Sequence, residues 1–62
     1  MKKFLEFKIA QLERQNSLLE KMMRVFDHLE EEETDAILDE INKNKVIIDK
    51  LKEALRYDEG GN

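Results

Sequence analysis

Apolar residues recur at three- and four-residue spacing on both sides of one unbroken acidic run, Glu30-Glu31-Glu32-Glu33. Before the run they are Leu5, Ile9, Leu12, Leu19, Met23 and Phe26; after it they are Ile37, Ile41, Ile48, Leu51 and Leu55. That spacing places side chains on one face of an α-helix. The reading is all-α: two amphipathic helices folded as an antiparallel hairpin across a charged turn. Neither helix hides its stripe fully against the other, so the hairpin is expected to dimerise into a four-helix bundle.

A single domain over residues 1–62 is expected, with helix one over 2–28, the turn over 29–33, helix two over 34–57 and a frayed tail over 58–62. With Ile9, Asn16 and Met23 at heptad position a, Leu5, Leu12, Leu19 and Phe26 fall at d. Glu6, Glu13, Glu20 and Asp27 then all fall at e, a regularity that describes one straight helix. Met22 and Leu29 at g, with Phe4, Leu18 and Val25 at c, widen the apolar arc to roughly 160°, beyond the ~100° of an ordinary surface helix. The seam of helix two is Ile37, Ile41, Asn44, Ile48, Leu51 and Leu55, widened by Leu38, Ile47 and Ala54. Thr34 is its expected N-cap, and Lys50, Lys52 and Arg56 suit its carboxyl end.

One continuous helix is the competing reading. The acidic run contains no Gly or Pro, and glutamate is a good helix former. Two observations favour a break. No strongly apolar residue occurs between Glu30 and Asp35, and the heptad phase shifts beyond them. Folding back at the run sets Phe26 opposite Leu38, Met23 opposite Ile41, and Asn16 opposite Ile48.

A chain of 62 residues rarely sustains its fold without a disulfide, a metal or another subunit. It has no cysteine and one histidine, which leaves a second copy of itself as the expected partner. The absence of cysteine agrees with a reducing compartment, and the expected location is cytoplasmic. Met1-Lys2-Lys3-Phe4-Leu5 begins like a leader segment, but Glu6, Lys8 and Gln11 interrupt it. No apolar window is long enough to span a membrane, so no membrane partner is expected. Charge is uneven. Residues 1–29 carry six basic groups against four acidic, net +2, and residues 30–62 carry five against eleven, net −6.

The chain offers no chemistry. It has no HExxH, no paired ExxH, no glycine-rich phosphate loop, and one serine, Ser17, without a base beside it. It reads as a non-enzyme without cofactor or metal. His28 with Glu31 and Glu32 is at best a loose cation site, and more simply a solvated group at a helix end. The acidic run either meets a basic partner or stays solvated.

Three features bear on partners. Asn16 and Asn44 interrupt the apolar seams; they either hydrogen-bond and so fix register and oligomer state, or reach water at the margin. Phe4, Phe7 and Tyr57 gather at the open end of the hairpin, as end-packing or as a candidate docking patch. Lys3, Arg14, Lys21 and Arg24 form a candidate RNA face on the outside of helix one.

In its length, in Leu18-Leu19-Glu20-Lys21, in Leu29 before acids, in Ile37 and in Arg56-Tyr57-Asp58, the chain resembles the plasmid RNA modulators of the Rop type. That resemblance implies a dimeric four-helix bundle binding paired RNA loops through helix one. Glu6, Glu13 and Glu20 crowd the face such binding needs. The favoured expectation is a non-catalytic regulator, adaptor or inhibitor that binds an unidentified protein. A Rop-like RNA-binding dimer and a purely structural coiled coil are the alternatives.

Overall fold

The computed structural model describes residues 1–60, with side chains through Asp58. It contains two helices, α1 (Lys2–Val25) and α2 (Glu31–Gly60), packed against each other as a hairpin. Residues 26–30 join them.

Backbone hydrogen bonds explain the boundaries. Met1 caps α1 through its carbonyl, which accepts the Leu5 amide at 3.0 Å. At the other end the Phe26 amide donates to the Met22 carbonyl at 3.0 Å, and the backbone then leaves the helix in an extended conformation, φ −90° and ψ 106°. Arg24 sits in the last turn, where the negative end of the helix dipole favours a cation. α2 begins with one side-chain cap and its first helical bond. The Glu30 amide donates to Glu33 Oε1 at 3.0 Å, and the Glu30 carbonyl accepts the Thr34 amide at 3.0 Å. Glu31, Glu32 and Glu33 occupy the first turn, beside the positive end of the dipole.

The joint therefore lies three residues earlier than the acidic run suggests. Glu31–Glu33 belong to α2 rather than to a turn over 29–33, because three carboxylates stabilise a helix start and destabilise a helix end. Thr34, expected as the N-cap, lies inside the helix, and Glu30 takes the cap position. α2 also runs past residue 57 to Gly60, so Asp58 is helical rather than part of a frayed tail. Its last turn holds no basic residue. Gly61 and Asn62, the rest of that expected tail, lie outside the described residues.

The core sits along one line between the helices. Leu5, Ile9 and Leu12 of α1 and Ile41 and Ile48 of α2 are buried. Ile9, Leu12 and Ile48 form one cluster, with Leu51 and Leu55 packed against it. Leu19, Met23 and Ile37 are half-buried toward the joint, as is Leu29 within it. Phe26, expected in the seam, is 53% exposed. It follows the last helical residue, so its extended backbone carries the ring off the heptad phase.

The resulting body measures 51 × 15 × 12 Å, with a radius of gyration of 14.6 Å. A compact domain of this length has a radius of about 10.6 Å. Among the described residues no helix is long and apolar enough to cross a membrane.

Candidate interaction surfaces

The most defined polar arrangement is a buried asparagine layer. Asn16 and Asn44 are 7% and 3% exposed. Asn44 Nδ2 donates to Asn16 Oδ1 at 2.8 Å and to Gln15 Oε1 at 3.0 Å. Asn16 Nδ2 donates to the Ile41 carbonyl at 3.3 Å. Every buried side-chain N or O atom among the described residues has a partner. The sequence placed Asn16 opposite Ile48. The earlier joint slides α2 by about one helical turn, ~5.4 Å, and brings Asn44 alongside instead.

One side of the hairpin is charged. Lys52 Nζ lies 3.5 Å from Glu13 Oε2 across the helices, with both side chains more than half exposed. Glu20, Lys45 and Asp49 line the same open groove beside Asn16. Along α2, Lys43 Nζ lies 3.2 Å from Asp39 Oδ2. Both signs alternate here, so the groove offers no field of one sign to a charged ligand.

A second surface is apolar. Leu18, Met22, Val25 and Phe26 line a shallow groove near the joint, with Lys21 along its edge. Leu18 and Val25 are each 59% exposed. Phe4 and Phe7 stand exposed at the opposite end of the same helix, and Tyr57 is exposed near the end of α2. Leu38, Val46 and Ile47 of α2 are also exposed. The wide apolar arc read from the heptads is thus only partly covered: α2 covers the a and d positions and leaves c and much of g in water.

The candidate RNA-facing cations Lys3, Arg14, Lys21 and Arg24 are all exposed. His28 is exposed in the joint. No group of three or more His, Cys, Asp or Glu suited to a metal ion occurs among the described residues. Sequence reasoning missed the direct contact between the two asparagines. Their common seam position was the available signal, and it needed the correct joint to become a pairing. No family model, curated protein or solved structure matches the chain.

Proposed function

We propose that this is a small non-catalytic regulator or adaptor that acts by binding proteins, and that it works as a homodimeric four-helix bundle in the cytoplasm. Uncovered surface carries the proposal. The hairpin exposes 5176 Å². A compact monomer of its 7.4 kDa mass exposes about 4,200 Å². The excess of roughly 1,000 Å² compares with the ~800 Å² per partner that a standard protein interface removes from water. Large apolar side chains such as Phe4, Phe7, Leu18 and Tyr57 are exposed, which supports a protein surface as their cover.

Sedimentation equilibrium over micromolar concentrations tests the self-association. The expected result is twice the 7.4 kDa chain mass. A fully helical single chain throughout that range overturns it. A protein target should be retained stoichiometrically by the tagged chain and lost on Tyr57→Asp with helicity intact.

The exposed cations Lys3, Arg14, Lys21 and Arg24 on α1 favour a second reading, an RNA-binding dimer. Glu6, Glu13 and Glu20 on the same helix and the net charge of −4 oppose it. Binding through phosphates weakens steeply as salt rises, and Arg14→Glu with Lys21→Glu would abolish it.

A further inference from the structure

We infer that the outward face of α1 seats an acidic amphipathic helix of a target protein; this rests on the protein-binding reading above and gives the target's chemistry. Charge on α1 is sorted by face. Its acidic residues, Glu6, Glu13 and Glu20, all fall at heptad position e. Glu13 and Glu20 line the charged groove beside α2, where Glu13 faces Lys52. The remaining positions outside the seam, b, c, f and g, carry no carboxylate along this helix. They carry Lys3, Lys8, Arg14, Lys21 and Arg24. Among the described residues Lys3, Arg14, Lys21 and Arg24 have no ion-pair partner.

Apolar side chains share this basic face. Phe4 and Phe7 stand at one end of it, and Leu18, Met22 and Val25 at the other, all exposed. Leu18, Met22, Val25 and Phe26 line one groove, with Lys21 at its edge. Leu18, Met22 and Val25 are spaced as i, i+4 and i+7, the spacing through which one helix reads the apolar ridge of another. From Phe4 to Val25 the face is about 32 Å long at 1.5 Å per residue, the length of a helix of roughly 20 residues.

Cations beside an apolar stripe are complementary to carboxylates beside an apolar stripe. Other surfaces meet only part of this. RNA offers phosphates but no apolar cover for Leu18, Met22 and Val25, and its width brings it against Glu13 and Glu20. An anionic bilayer offers both charge and cover, but a helix lying in its interface needs an unbroken apolar face. Gln11 and Arg14 break this one at its middle. A second copy offers α2, whose exposed surface sets Lys43 and Lys50 among Asp39 and Glu53, so like charges meet. A foreign helix places polar residues opposite Gln11 and carboxylates opposite the cations.

Fluorescence anisotropy on the full chain tests this with two labelled helical peptides of about 20 residues. Both carry leucine at the same i, i+4 and i+7 positions; one is flanked by glutamate and the other by lysine. The acidic peptide should bind roughly tenfold more tightly or better at low salt, and the difference should shrink as salt rises. Leu18→Gln should weaken the acidic peptide about tenfold, because an apolar contact is lost. Arg14→Glu with Lys21→Glu should reverse the preference in favour of the basic peptide. All three positions are exposed, and circular dichroism records retained helicity. Equal binding of the two peptides, or binding of neither, overturns the proposal, and the target-retention test above then decides the wider reading alone. Preference of the unaltered chain for the basic peptide overturns it and leaves protein binding standing. Tighter binding to an RNA stem-loop overturns both. Tighter binding to vesicles of phosphatidylcholine with phosphatidylserine assigns the face to lipid and overturns it. Loss of the dimer on Arg14→Glu with Lys21→Glu assigns the face to a second copy and overturns it as well.

Discussion

Asn44 donates its side-chain amide to the side-chain oxygen of Asn16 across the helix interface at 2.8 Å, and the pair is shielded from water. Apolar contacts between two helices tolerate sliding, because one leucine replaces another a turn away. An asparagine pair does not. Moving α2 by one turn along α1 sets a buried amide against leucine or isoleucine, where it finds no partner. The bond therefore selects one alignment from several of similar apolar content.

Changing one asparagine should cost more than changing both. Asn44→Leu leaves the Asn16 oxygen buried without its donor, a loss of about 1–3 kcal/mol. The double change Asn16→Leu with Asn44→Leu restores at least the original stability, as an apolar layer replaces a polar one. Urea unfolding of the three chains measures this. A single change that stabilises would show that the amides are not coupled.

Ile48 carries the centre of the small core, packed with Ile9 and Leu12. Ile48→Val should cost about 0.5–1.5 kcal/mol and Ile48→Ala about 2–5 kcal/mol. A chain this small holds little reserve, so Ile48→Ala should lose most of its helical signal at low concentration. Retention of full helicity by Ile48→Ala on dilution would mean the cluster contributes little.

The start of α2 has room for improvement. Glu33 already reaches back to the Glu30 amide, which is half of a capping box. Glu30→Ser supplies the other half, a hydroxyl that accepts the Glu33 amide, and should stabilise by about 0.5–1 kcal/mol. Glu33→Ala should destabilise by a similar amount. Thermal melts of both variants at matched concentration check the pair.

The Glu13–Lys52 contact should matter little. Both side chains are more than half in water. Glu13→Gln is expected to change stability by no more than about 1 kcal/mol, with the difference vanishing at high salt. A larger, salt-resistant loss would place the pair in a drier setting.

The seam is the part most legible in the amino-acid order. Leu5, Ile9 and Leu12 must share a face at that spacing, as must Ile41 and Ile48, and burying both faces makes a hairpin. The joint is less legible. Nothing in Asp27-His28-Leu29-Glu30 forbids a helix, and glutamates suit a helix start as well as a turn. The outcome rests on small electrostatic terms at two helix ends, which composition does not resolve by eye. Phe26 shows the consequence: its heptad position belongs to the seam, but the helix has already ended. The misplaced joint carried over to the asparagine pair, whose expected register was four residues out along α2. For the interaction surfaces, residue spacing showed how much apolar arc α1 carries, and only the position of α2 showed which part stays wet.

No described residue adopts a positive φ, so the joint contains no glycine-dependent bend. Its direction depends on the extended backbone of Phe26 and on a turn at residues 27–28, all ordinary residues. Substitutions that favour helix at Asp27 and His28 would straighten it without steric penalty, and two chains would then trade their second helices. Each Asn16–Asn44 hydrogen bond would survive as an intermolecular one. A few mutations thus separate this hairpin from a domain-exchanged pair built on the same core.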